Sequence, residues 1–324
     1  MKNNKSLSKI LHEKPWIWVF AGSILMWLIM CGLSGKISFE SLQANMIAAA
    51  FLAIVAIGQM FVVTTGKGAM DLSIPGTITL GAFLNIMLIN GDPSRIWIGI
   101  VGVIATGVII GLFNSLCVLP LKIPPMIATL AVNYILGTVA LLINSNSGMP
   151  RLVQAPSLVW IATGRSFGIY NMIFIVAVLA ALSAFLLIKT TYGKSLTALG
   201  QNEASAHFAG VKTNRIQIIT YVFSGVMASL AGFFLAVRAG GAFFGMGDDY
   251  LMDTVAGVVL GGTLMSGGKS TVVGTVFGCL FIRILVTLMQ LAQFEIGVQN
   301  IVKGIIIVLI IIIGTPSRKK VEQM

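Results

Sequence analysis

Apolar stretches near the length a helix needs to cross a bilayer core, about 20 residues, recur along this chain, and Ile305 to Ile313 is nine aliphatic residues without a break. With 57% hydrophobic and only 10% charged residues, and a mean hydropathy of +0.97, water-compatible surface could not cover a globule of this size. The period-two alternation of a membrane β-barrel is absent. The expected fold is therefore all-α, a polytopic membrane bundle of about ten transmembrane helices near residues 16–33, 44–64, 74–90, 96–120, 124–144, 169–189, 215–237, 251–266, 271–292 and 296–314. The count falls to eight if two short glycine-rich segments re-enter rather than span.

The formal charge of +11 invites a nucleic-acid reading, but in a polytopic chain the distribution of Lys and Arg decides more than their sum. With both termini cytoplasmic, fourteen of the 21 basic residues fall inside, among them Lys67, Lys122, Lys194, Lys212, Arg215 and Lys269. Five fall outside (Lys36, Arg95, Arg151, Arg165 and Arg238), and Arg283 and Lys303 fall within spans. That bias sets the orientation in a bacterial plasma membrane. The whole chain, 1–324, reads as one transmembrane domain with a cytoplasmic tail at 1–15, a cytoplasmic loop at 190–214 and a cytoplasmic tail at 315–324. Lipid is its surrounding partner and nucleic acid is not expected. Residues 1–33 read as a first span rather than a cleaved signal, because Met30 is large where cleavage needs a small residue. Cys31, Cys117 and Cys279 sit in apolar runs as packing residues.

Glycine pairs four apart, Gly107 with Gly111, Gly257 with Gly261 and Gly274 with Gly278, allow close helix approach where lipid supplies no hydrophobic drive. Gly66 to Gly81 and Gly257 to Gly278 are too interrupted by Gly, Pro, Ser and Thr for uniform helices. They fall at the third and eighth spans, corresponding places in two halves of five, which permits a 5+5 inverted repeat. The outer loop from Asn144 to Gly168, with Pro150 and Pro156, reads as an irregular external cap.

Only His12 and His207 are present as histidines, and neither has a Cys or carboxylate at ligand spacing, so no metal site is expected. Ser266-Gly267-Gly268-Lys269 and Thr64-Thr65-Gly66-Lys67-Gly68 lack the spacing and following sheet of a phosphate loop. None of the ten acidic residues falls near the middle of an expected span, which argues against ion-driven transport and against membrane-embedded catalysis. Neutral polar residues do fall within spans. Gln59, Asn114, Asn133, Thr263, Thr287 and Gln290 either line a path for an uncharged solute or bond helix to helix. Arg283 needs a partner, water or a route to the interface.

The longest polar interruption that is not a simple turn runs from Gly200 to Arg215. Asn202 suits a helix N-cap, Glu203 suits the positive end of a helix, and Gly210 suits its stop. So short a helix needs packing to persist, and Phe208 with Val211 offers an apolar face.

Asn202-Glu203-Ala204-Ser205-Ala206 through Gly210 resembles the coupling loop of permeases of ATP-binding-cassette importers, in particular the ribose-type branched permease family. Gly68-Ala69-Met70-Asp71-Leu72-Ser73-Ile74 resembles that family's Gly-Gly-Ile-Asp-Leu-Ser-Val. Lys122-Ile123-Pro124-Pro125-Met126-Ile127-Ala128-Thr129-Leu130 resembles its Lys-Val-Pro-Pro-Phe-Ile-Ala-Thr-Leu, and Val259-Leu260-Gly261-Gly262-Thr263 with Ser266-Gly267-Gly268 completes the set. The resemblance covers about residues 50–310. Met70, Pro75, Arg283 and Thr287 depart from the pattern.

What the resemblance implies is a permease subunit rather than an enzyme. Its partners would be a second permease subunit, as homodimer or heterodimer, two cytoplasmic ATPase domains and an extracytoplasmic solute-binding protein. ATP and Mg would be bound by the ATPase, with no cofactor on this chain. Asn202, Glu203, Ala204, Ala206, Phe208 and Gly210 would transmit ATPase closure, and Asp71 and Ser73 join the path candidates. The expected cargo is a monosaccharide or similar uncharged polar solute. The alternatives are a nucleoside or branched-chain amino acid permease, and an ion-driven carrier.

Overall fold

The computed structural model describes residues 16–145 and 155–314, with side chains described through residue 309. The expected tails at 1–15 and 315–324, with His12, and Pro150 and Arg151 of the outer loop lie outside the described residues. Thirteen α-helices follow in order: α1 (Trp16–Ser34), α2 (Phe39–Thr64), α3 (Ile74–Ile89), α4 (Ile96–Val118), α5 (Pro125–Ser145), α6 (Pro156–Thr163), α7 (Asn171–Lys189), α8 (Thr191–Gln201), α9 (Glu203–Phe208), α10 (Thr213–Ala239), α11 (Tyr250–Leu260), α12 (Val272–Leu291) and α13 (Ile296–Gly314). Seven are long and apolar enough to cross a membrane: α1, α2, α4 with the 3-10 turn before it, α5, α7, α10 and α12. The other three expected spans correspond to shorter apolar helices, α3, α11 and α13.

Local chemistry sets the ends. Ser38 accepts from Ser41 N at 3.3 Å to cap α2, and Thr271 accepts from Gly274 N at 3.3 Å to cap α12. Pro75 occupies the first turn of α3, where its missing N–H is no loss. Two expectations shift. The span drawn at 251–266 stops at Leu260, after which residues 261–271 form an irregular return. The outer loop is partly ordered: α6 buries Leu158 and Ala162, and a two-stranded antiparallel hairpin pairs Arg165 with Tyr170.

The core sits on α2 and α10. Phe51, Leu52, Ile54, Ile57, Met60 and Phe61 on α2 are fully enclosed, whereas α1, α4, α5 and α7 leave Leu25, Val101, Ile109, Ile127 and Leu182 exposed. An exposed apolar belt of this kind suits hydrocarbon, not water. The two halves interlock: α10 packs on α3 and α4 of the first half, and α2 packs on α11 and α12 of the second. Within each half, the short helix meets the two that follow it, α3 with α4 and α5, α11 with α12 and α13. The pairing repeats except at α1 and α7, which take different neighbours, α1 on α12 and α7 on α2.

Two segments turn inward where the long central helices end. Residues 66–73 follow α2 and bury Asp71 and Ser73; residues 240–249 follow α10 and bury Met246 and Gly247. The second meets α3, into which the first leads: Gly247 N donates to Thr79 Oγ1 at 3.2 Å and a Cβ on Gly247 would strike the Pro75 carbonyl oxygen. The glycine pairs read in the sequence are close contacts: Gly107 and Gly111 of α4 lie on the α10 backbone, and Gly257 of α11 and Gly261 just after it face Gly278 and Gly274 of α12.

Candidate functional site

At the end of the bundle where α2 finishes, α8 and α9 form a protruding knob. Asn202 Oδ1 accepts from Ser205 N at 2.9 Å and caps α9, and Gly210 closes it in a left-handed conformation, φ +85°. Glu203 reaches two elements at once: its carboxylate pairs with Lys67 of the 66–73 segment and accepts from Gln217 Nε2 of α10 at 3.0 Å. Ala206 is buried beneath the knob, Ala204 faces the groove beside it, and Phe208 is 88% exposed. The α8 side is anchored by Tyr192, whose hydroxyl lies 2.8 Å from Thr220 Oγ1 of α10; burial pushes that phenol up to about 12, so it stays neutral.

The end of α8 and two irregular stretches interlock under the knob. Gly268 N donates to Thr64 O at 3.1 Å. A Cβ on Gly200 would collide with Thr64 O and Gly268 N, and one on Gly267 with the Gly66 backbone. Backbone thus touches backbone from the end of α8, the α2–α3 segment and the α11–α12 return. Between them a groove of about 800 Å³ is lined by Lys67, Gln201, Asn202, Glu203, His207 and Ser266, among others.

Above the knob, Asp71 organises a sealed polar cluster. Its Oδ1 accepts from Ser73 N at 3.0 Å, Ser73 Oγ at 2.5 Å and Asn114 Nδ2 at 3.4 Å, and its Oδ2 accepts from Ser224 Oγ of α10 at 2.7 Å. Asp71 N donates to Gln59 Oε1 at 3.1 Å, and Leu72 N donates to Thr129 Oγ1 of α5 at 2.9 Å. The non-helical backbone at this depth is thereby paired with side chains, as a dry interior requires.

A second buried cluster ties the last three helices. Asp253 of α11, 1% exposed, places Oδ1 2.9 Å from Lys303 Nζ of α13 and Oδ2 3.3 Å from Arg283 Nη1 of α12. The Arg283 guanidinium also lies 5.0 Å from the centre of the Tyr250 ring. Asp71 precedes α3 and Asp253 stands in the first turn of α11, neither of them near the middle of an expected span, yet both are buried inside the bundle. Finally, a cleft of about 290 Å³ opens between α3, α5 and the 240–249 segment. Among the described residues no group of three or more His, Cys, Asp or Glu could hold a metal ion.

The family described as branched-chain amino acid transport system / permease component matches residues 41–313. The chain belongs to that family. The chain is 29% identical over 82% of its length to the ribose import permease protein RbsC of Escherichia coli K12, covering 83% of that protein. It is 31% identical to the galactofuranose transporter permease protein YtfT of the same strain over 82% of the chain and 76% of that protein. It is also 31% identical to the ribose import permease protein RbsC of Bacillus subtilis 168, over 82% of the chain and 81% of that protein. Members are transport components of a larger system, so this is a multi-pass membrane permease rather than an enzyme.

In this permease the six knob residues lie together, while the eight span candidates do not. Gln59, Asp71, Ser73 and Asn114 are sealed in one cluster. Asn133 is half-buried, accepts from Gly76 N at 2.8 Å and lines the cleft. Thr263 is enclosed in the return after α11, Thr287 donates to Asn45 Oδ1 of α2 at 2.7 Å, and Gln290 is exposed on α12. The sequence reading missed Thr129, Ser224 and Asp253. Two unpaired bases in consecutive apolar segments, Arg283 and Lys303, were a signal that a nearby acid had to be buried with them.

Proposed function

We propose that this chain is the membrane-spanning permease of an ATP-driven importer, passing a monosaccharide or similar small uncharged polar solute. The observation that carries the reading is the double grip of Glu203 at the knob, on Lys67 and on Gln217. Through it, a push on α9 reaches both the α2–α3 segment that holds Asp71 and the central helix α10. Two cytoplasmic ATPase domains would seat on the knob, with exposed Phe208 as the apolar contact, and would bind the ATP and Mg. The knob then faces the cytoplasm, which agrees with the excess of Lys and Arg on that side. A second permease subunit and an external binding protein would complete the complex, in the bacterial inner membrane.

Relatives named for ribose and galactofuranose support the cargo class. The family description supports a second reading, a branched-chain amino acid. An ion-driven carrier has less support, because the buried Asp253 is already engaged by two cations.

The test is to substitute Phe208→Ser and Glu203→Ala, and to measure ATPase co-purification and ATP-dependent uptake of labelled ribose, galactose and leucine in vesicles. Phe208→Ser should weaken ATPase association, and Glu203→Ala should keep association while uncoupling hydrolysis from uptake. Normal association and uptake in both variants would defeat the assignment, as would uptake that needs an ion gradient and no ATP.

A further inference from the structure

The cleft between α3, α5 and the 240–249 segment has a chemistry of its own. Its volume of about 290 Å³ lies at the lower end of small-ligand pockets, which run from about 300 Å³ upward. Two aromatic side chains line it, Tyr134 and Phe244, exposed by 69% and 49%. Asp248 lines it too, with a carboxylate that makes no ion pair and accepts no side-chain hydrogen bond among the described residues. Asn133 has its Oδ1 committed to Gly76 N at 2.8 Å, which fixes the amide and leaves Nδ2 without a protein acceptor. The walls are pinned to each other by the Gly247 N to Thr79 Oγ1 bond at 3.2 Å.

We infer that this cleft is a polyol subsite on the solute's route, with Asp248 accepting from vicinal hydroxyls, Asn133 Nδ2 donating to a ring or hydroxyl oxygen, and Tyr134 and Phe244 covering the C–H face. The inference rests on the importer reading and narrows it. The same atoms disfavour a free amino acid, whose carboxylate needs a cation or an open helix N-terminus. No Lys or Arg lines the cleft. Two helix starts border the cleft, and their first N–H groups are already spoken for: on α3, Gly76 N is held by Asn133, Thr77 N by Ser73 O, and Pro75 has no N–H, while on α11 Tyr250 N is held by Gly247 O and Leu251 N by Asp248 O. A phosphorylated sugar is disfavoured for the same reasons, and Asp248 would repel it.

Gly137 supplies a direct test. It lines the cleft from α5, and a Cβ added there meets nothing within 4 Å, so larger side chains enter open space rather than the protein. Gly137→Cys in the purified permease should react with a water-soluble maleimide above the background of the unsubstituted chain. Millimolar ribose or galactose should slow that reaction, and leucine should not. In vesicles holding the assembled transporter, Asp248→Asn should lower ribose uptake about tenfold, the usual order for a lost charged hydrogen bond. Gly137→Trp should abolish uptake, and both variants should still bind the ATPase. A cysteine unreactive to the hydrophilic reagent, protection by leucine but by neither sugar, or wild-type ribose uptake by both Gly137→Trp and Asp248→Asn would overturn the subsite. Loss of all ATP dependence in the unsubstituted transporter would instead overturn the importer reading, leaving the maleimide protection to decide the cleft.

Discussion

Asp253 gives one oxygen to Arg283 and the other to Lys303, so three packed helices enclose two positive charges and one negative. Removing the shared carboxylate leaves both cations unpaired in a dry interior, whereas removing one base leaves a balanced pair. Breaking a buried ion pair from one side typically costs about 3–5 kcal/mol. Asp253→Asn should therefore lower the melting temperature of the purified permease far more than Lys303→Met, and Lys303→Met added to Asp253→Asn should recover part of the loss. Equal losses for the two single variants, read by thermal unfolding in detergent, would mean that the carboxylate is not the shared partner. The sequence displayed all three residues but not their meeting, because Asp253 stands near the start of an apolar run and depth in the bundle depends on where neighbouring helices cross.

At the scale of elements, the knob works through backbone contact as much as through side chains. Gly200 leaves no room for a Cβ against Thr64 O and Gly268 N, and the strain of forcing extra atoms into such a contact is about 1–3 kcal/mol. Gly200→Ala should tilt α8 away from the α2–α3 segment. The expected result is ATP hydrolysis that persists while labelled-sugar uptake falls, with a melting temperature lower by a few degrees, about what such a loss produces in a chain of this size. Uptake and melting unchanged in Gly200→Ala would show that the contact is dispensable. Much of this element was legible beforehand: Asn202, Glu203 and Gly210 are the residue types that start and stop a helix, and the structure caps and ends α9 with them. The seven long apolar helices were legible too, since length and apolarity suffice to mark them. The faces of those spans were not. The apolar runs of α2 and α4 look alike in sequence, yet α2 is enclosed by protein and α4 leaves most of its surface bare. With apolar residues all round a helix, no stripe points to the core. The polar candidates accordingly scattered among a sealed cluster, a helix contact and an outer face.

For the whole molecule, the geometry puts Lys67 and Lys269 at the knob end, both exposed, and Arg165 on the hairpin that Gln43, near the start of α2, holds at the other. In intact cells, Lys67→Cys and Lys269→Cys should resist an impermeant thiol reagent until the membrane is opened, and Arg165→Cys should react at once. The reverse pattern would turn the knob outward and remove it from any cytoplasmic motor. The mutual embrace of the halves also bears on how the chain is made. While α2 enters the bilayer, the helices that will enclose it, α10, α11 and α12, are still unsynthesised. During that interval its future core surface must rest against lipid or insertion machinery. Biogenesis of this permease thus ends in a late closing step that cannot be complete before translation passes Leu291, and a chain truncated after α5 would leave its own centre bare.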